Sequence, residues 1–204
     1  NVSATYGASG ILQITARSLE TATVSLPSIE LVYSGSAHEP TPTVTIVLVS
    51  GNAATTLSVD KDYTVSYSNN TNASEEAVVT ITATENGNYT GSVEMTFTIA
   101  PQPVTITAQD ASSEYNKEAT DLAYDITSGT IVEADKAALA IKAVTSVKKD
   151  YAVGDYAKAV TVTYNENSNY VITVIPAKHE VTAATLTVIE TAYNGVYDGQ
   201  EHSA

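Results

Sequence analysis

The chain has 204 residues, no cysteine and a formal net charge of −14. Without cysteine there are no disulfides, thiolate metal sites or cysteine nucleophiles. One arginine, Arg17, and eight scattered lysines supply no basic cluster for phosphates, so nucleic acid is not an expected partner.

No apolar run approaches the ~18 residues of a membrane span, and no signal-like apolar region is present, so no membrane insertion by this chain is expected. Thirty threonines and thirteen tyrosines, with many Val and Ile, suit half-buried pleated surfaces and predict an all-β chain.

Taken in chain order, "TYGASGILQITARS" (5–18) carries a Tyr and a Gly followed by an alternating strand. "VYSGSAHEP" (32–40) follows. Then Tyr63, Val65 and Tyr67 alternate with polar residues, as do Val79, Ile81 and Ala83, and Val93, Met95, Phe97 and Ile99. Period two with one apolar face predicts antiparallel strands, and several short ones in succession predict a β-sandwich. Turn signals at Ser34-Gly35, Ser50-Gly51-Asn52, Ser68-Asn69-Asn70 and Asn86-Gly87-Asn88 separate them. "TIAPQPVTI" (98–106), with Pro101 and Pro103, predicts an extended junction, one domain ending near residue 100 and the next starting near 103. Further on, Val104 and Ile106, Val160 and Val162, and Ile172 and Val174 alternate again. "VEADKAALAIKAV" (132–144) is Ala-rich and lacks Gly and Pro, so it fits either a strand or a short helix. A helix crossing a small sheet would make this second domain β-grasp-like.

These elements recur. Tyr33 in "VYSGSAHEP", Tyr115 in "EYNKEATD" and Tyr197 in "VYDGQEHSA" are spaced by 82 residues each time. Tyr89 in "NGNYTGSVEMTFTIAP" and Tyr170 in "NSNYVITVIPAKHEVTA" are 81 apart. Such a period is the signature of a tandem array. It divides the chain into the closing strand of a preceding repeat (1–15), repeat one (16–100), repeat two (101–184), and the first strand and turn of a following repeat (185–204).

"LVYSGSAHEPTPTVTI" and "DKDYTVSYSNNTNASEEAVVTITATENGNYTGSVEMTFTI" resemble the Ig-like repeats of large bacterial surface proteins, with Tyr33, Gly35, Pro40, Asp62, Tyr63, Asn69, Asn70, Gly87, Asn88, Tyr89, Gly91, Phe97 and Ile99 in order. "VGDY" (153–156), "NSNYVITV" (167–174) and "YDGQEHSA" (197–204) are similar to the related MBG/YDG-type repeats. Asn116-Lys117, in place of a turn glycine, and Glu75-Glu76, in place of small residues, depart from the pattern. The resemblance implies tandem Ig-like β-sandwich domains in an elongated array, secretion or cell-surface attachment, and a role in stalks or adhesins.

The sequence nominates no catalytic, cofactor-binding or metal-binding residue. His38, His179 and His202 fall at turns or strand ends and read as solvated. Asp60, Asp62, Asp110, Glu114, Asp150, Asp155 and Asp198 lie near turns, where repeat junctions can gather oxygens for calcium, but no dense Asp-x-Asp-x-Asp loop exists. Lys61, beside Asp62, is the one lysine placed to ask about a Lys–Asn crosslink, and solvation is its default reading. Tyr33, Tyr63, Tyr89, Tyr115, Tyr170 and Tyr197 read as packed repeat markers, with a row of sugar-stacking rings as the functional alternative. The expected function is a non-catalytic spacer or stalk module whose partners are neighbouring repeats. The alternative is a binding module for a glycan or a host or cell-wall protein. No cofactor is expected.

Overall fold

The computed structural model describes residues 4–6, 12–189, 195–197 and 199–200. Strands hold 46% of the chain and helices 6%, so the fold is all-β. Among the described residues no helix is long and apolar enough to cross a membrane. Two compact units emerge. Unit 1 joins residues 1–106, 126–141 and 164–173, and unit 2 joins 107–125, 142–163 and 174–204. These units do not follow the repeat limits read from the sequence, because three stretches of repeat two, 101–106, 126–141 and 164–173, belong to the same unit as all of repeat one.

The first ten strands are β1 (Ala4–Tyr6), β2 (Leu12–Ile14), β3 (Arg17–Ser18), β4 (Thr23–Ser25), β5 (Thr43–Ile46), β6 (Thr55–Thr56), β7 (Tyr63–Ser68), β8 (Ser74–Ala83), β9 (Tyr89–Thr90) and β10 (Ser92–Ile99). β1 pairs with β2, and β3 runs parallel to β9. Two three-stranded sheets, β4-β5-β6 and β10-β8-β7, supply the main core. Val44 and Ile46 of β5 bury with Tyr63 of β7, Val79 and Ile81 of β8, and Leu19 and Leu57. The alternation predicted at 63–67, 79–83 and 93–99 is therefore what points one face of each strand into a shared apolar cluster. Each branched or aromatic side chain buried there contributes ~1.5–3 kcal/mol before chain entropy is counted.

The paired glutamates at 75–76 have a structural cause. Phe97 stands opposite Ala77, but Ile99 stands opposite Ser74, so β8 carries one residue more than β10 across this stretch. Glu75 and Glu76 are both exposed, which strict alternation would forbid and a bulge permits. The predicted turns form at their signals, with Gly35, Gly51, Asn69 and Asn86 all at positive φ.

Beyond Ile99 the chain crosses Pro101 and enters a different sheet. The remaining strands are β11 (Gln102–Ala108), β12 (Ala111–Glu114), β13 (Tyr124–Ser128), β14 (Lys142–Thr145), β15 (Gly154–Thr163), β16 (Tyr170–Ile175) and β17 (Ala177–Thr182). One sheet has the order β13-β11-β16, the other β12-β17-β15-β14 with β12 and β17 parallel. In unit 2, Val147, Ala159 and Val181 form a small core beside Tyr151 and Tyr156. The turn lacking glycine is made by Asn116 at φ 70°, a conformation Asn tolerates better than most residues.

The stretch 132–144 is neither a strand throughout nor a sheet-crossing helix. Glu133–Asp135 form a 3-10 turn, Lys136–Leu139 form α1, and Ala140 at φ 47° stops the helix before β14. A four-residue helix rises only ~6 Å, too little to cross a sheet, so the β-grasp alternative finds no element to carry it. The left-handed Ala140 was unforeseeable from helix propensity, which favours continuation. In 185–204 the described residues form no strand, and the rest of that segment lies outside the described residues.

Two glycines differ in a way that can be measured. Gly129 has φ 74°, and an added Cβ would overlap the Pro103 carbonyl oxygen. Gly51 has φ 84° with open space around it. Gly51→Ala should cost only the left-handed penalty of ~1–2 kcal/mol, whereas Gly129→Ala should cost ~3 kcal/mol or more because backbone must also move. Paired urea melts of the two variants check the ranking, and an equal loss would contradict the packing described for Gly129.

Candidate functional site

One carboxylate of unit 1, that of Asp135, gathers two phenols. Tyr33 donates its hydroxyl to Asp135 Oδ2 at 2.7 Å, and Tyr170 donates to the same oxygen at 2.6 Å. The Val132 N–H donates to the Tyr170 hydroxyl at 3.0 Å. The two rings meet edge to face with centroids 5.4 Å apart, an arrangement worth ~0.5–1.5 kcal/mol beyond burial. Gly35, in the turn after Tyr33, lets Val132 approach, since a Cβ there would lie 2.8 Å from Val132 Cγ1. Two tyrosines singled out by their spacing in the sequence thus share a single aspartate.

The loop between β15 and β16, "YNENSNY" (164–170), is fixed by its odd-numbered asparagines. Asn165 donates its backbone N–H to Leu139 O at 2.8 Å and its amide to Ala138 O at 2.9 Å. Those carbonyls end α1 and have no partner within a helix that stops there. Asn167 Oδ1 accepts the Asn169 N–H at 2.9 Å. Asn169 is buried; its Oδ1 accepts the Ala73 N–H at 2.8 Å and its amide donates to Asn72 Oδ1 at 3.1 Å. Its carbonyl accepts the Gln102 N–H at 2.9 Å. The intervening Tyr164, Glu166 and Ser168 are exposed. With Asn167, Tyr170 and Ile172 they line an open concavity of about 400 Å³. Asparagines at every second position were the available sequence signal for this loop; reading 167–174 only as a repeat marker missed it.

The other nominated residues separate. His179 corrects the expectation of a solvated residue: it is fully buried in β17, between Ser113 Oγ at 2.9 Å and Thr145 Oγ1 at 3.0 Å. Alternation along β17 places it inward, beside Val181 two residues on. His38 is half-buried, its backbone tied to Asn70 in both directions. His202 and Asp198 lie outside the described residues. The acidic residues serve turns singly: Asp62 Oδ2 accepts the Ser58 N–H, Asp110 Oδ1 the Lys178 N–H, and Glu114 Oε1 the Thr185 N–H. Among the described residues no three His, Asp or Glu side chains converge as a metal site requires. Lys61 is exposed in the turn before β7, not buried as a crosslinking lysine must be. Of the six marker tyrosines, Tyr33, Tyr63 and Tyr170 are buried and Tyr89 half-buried, but Tyr115 and Tyr197 are 42% and 93% exposed, so the packed reading does not hold for those two.

No family model matches the chain, and no curated protein or solved structure does.

Burial first, and the Asp135 carboxylate next, raise the Tyr33 and Tyr170 phenols above their ordinary range. A raised folded-state value means the folded chain keeps these protons longer than the unfolded chain does. That stabilisation is present below pH ~10 and is lost as pH rises through the folded-state values. Burial lowers the His179 imidazole. Its contribution is present above pH ~6.5 and is lost as pH falls. Thermal melts across pH should show both limbs, and the alkaline limb should flatten when Tyr33 and Tyr170 are both replaced by Phe. At neutral pH Tyr170→Phe should cost ~1–3 kcal/mol, because it strands the Val132 N–H, and Tyr33→Phe about 1 kcal/mol. The double variant should deviate from additivity, since both hydroxyls share one oxygen.

Proposed function

We propose that the chain is a non-catalytic spacer module from the stalk of a secreted or cell-surface bacterial protein, built of tandem Ig-like β-sandwich repeats of the MBG/YDG type in an elongated array. The observation that carries the reading is the coupling of segments about one repeat apart. The Tyr33 hydroxyl and the Ala73 N–H of repeat one are held by Asp135 and Asn169 of repeat two, 102 and 96 residues away in sequence. A spacer must resist bending where one module hands over to the next, and fixed hydrogen bonds between consecutive repeats do this better than a Gly/Ser linker, which behaves as a random coil. The handover itself is short. β10 ends at Ile99 and β11 begins at Gln102, with Pro101 between them fixing φ. Neighbouring repeats are the partners this reading requires.

Small-angle scattering tests it. A rod-like profile is expected, with a radius of gyration well above the ~17 Å of a single compact domain of this length. A compact profile near that value would remove the spacer reading.

A further inference from the structure

The loop 164–170 offers more than a structural link. Its asparagines at 165, 167 and 169 are engaged with Ala138 and Leu139, with the loop itself, and with Asn72 and Ala73. Among the described residues, the side chains of Tyr164, Glu166 and Ser168 between them make no hydrogen bond or ion pair with other protein groups. These bonds hold the backbone, while the side chains of Tyr164, Glu166 and Ser168 border a concavity of about 400 Å³, within the ~300–1,000 Å³ range of ligand sites. A second concavity of about 340 Å³ lies alongside; it shares Ser168 and adds Glu75 and Pro101. Both lie wholly within unit 1.

We propose that this pair of concavities is a carbohydrate-binding site for a neutral oligosaccharide, with the Tyr164 ring stacking on the C–H face of one pyranose. Glu166 and Ser168 accept from and donate to its hydroxyls, and the next sugar lies over Ser168 toward Glu75. A pyranose has an apolar C–H face and a rim of hydroxyls, so it needs a ring and several oriented hydrogen-bonding groups close together, as found here. A carboxylate accepts two vicinal hydroxyls through its two oxygens. Anionic glycans are disfavoured, because Glu75, Glu166 and the net charge of −14 repel them. A basic peptide is a poorer fit. Its attraction would rest on exposed ion pairs to Glu166 and Glu75, which are individually weak and screened by salt. The rigid, neutral part of the lining would go unused. Holding the loop in advance lowers the ordering cost of binding. The site is independent of the spacer role, so either can fail alone.

The test titrates the full chain by calorimetry with maltotriose, cellotriose, chitotriose and lactose, and with 3′-sialyllactose and trilysine as controls, after a glycan-array screen. Saturable binding to at least one neutral oligosaccharide is expected, weakened about tenfold or more in both Tyr164→Ala and Glu166→Gln. Glu166 is exposed, so the thermal midpoint of Glu166→Gln should stay unchanged. Tyr164 is only 36% exposed, so Tyr164→Ala should lower the midpoint somewhat and its binding is read well below that midpoint, while Lys158→Ala should bind as the parent does. The proposal is overturned if no neutral glycan binds in either format. It is equally overturned if binding survives both loop substitutions, or if trilysine or the sialylated sugar binds in preference.

Discussion

Oδ2 of Asp135 accepts two phenolic protons, from Tyr33 and from Tyr170, and much of unit 1 is arranged so that this can happen. Three sequence-distant segments must converge on one oxygen. The turn at Ser34-Gly35 brings Tyr33; its backbone is pinned where the Tyr33 N–H donates to Ala100 O and the Ala100 N–H donates to Leu31 O. The 3-10 turn at 133–135 brings Asp135, and the start of β16 brings Tyr170. A half-buried carboxylate receiving two hydroxyls is a strong acceptor site, since hydrogen bonds to charged groups contribute ~1.5–3 kcal/mol against about 1 kcal/mol for neutral ones. Removing the aspartate would take the acceptor from two buried phenolic protons at once.

The node joins the pairing of β13 and β16 onto β11 in bringing the segments of unit 1 together. Residues 126–141 and 164–173 belong to repeat two by sequence period, yet they contact repeat one through Tyr33, Ala73 and Gly35. The period read from the sequence is a matter of residue spacing, whereas a compact unit records where side chains find partners, and the two differ at the Tyr33 turn. The Tyr115 turn, 82 residues on, is held differently: Asn116 donates its N–H to Lys149 O, Lys117 pairs with Glu114, and the Tyr115 ring is 42% exposed.

Strand positions were legible because alternation is a local signal. Val79 and Ile81, or Val104 and Ile106, declare an inward face without knowledge of any partner strand. Turn positions were legible for the same reason, since a left-handed residue favours Gly or Asn wherever it occurs. The bulge at Glu75-Glu76 shows up in sequence only as two adjacent charges, because it is defined by the register against β10. His179 misled because one histidine looks alike in a turn or a core. Its burial depends on Ser113 and Thr145, 66 and 34 residues away. The Asp135 node could not be read at all, since nothing local distinguishes an aspartate that accepts two tyrosines from one that faces water.

The loop 164–170 shows how a fold can serve structure and recognition with one short segment. Its asparagines are short, carry both donor and acceptor, and satisfy helix-end carbonyls, the Ala73 N–H just before β8 and each other. That meets the backbone's requirement for partners in a region with no sheet ladder of its own. The hydrogen bonds that hold the loop fall on every second residue, so the residues between them are not needed for those bonds. Tyr164, Glu166 and Ser168 can then vary in chemistry while the loop keeps its path. An ordinary flexible loop would have to be ordered by whatever it bound, and that ordering would weaken the binding. Here the ordering is already complete before any ligand arrives, so side chains that contribute nothing to the core can be selected for what they touch outside it.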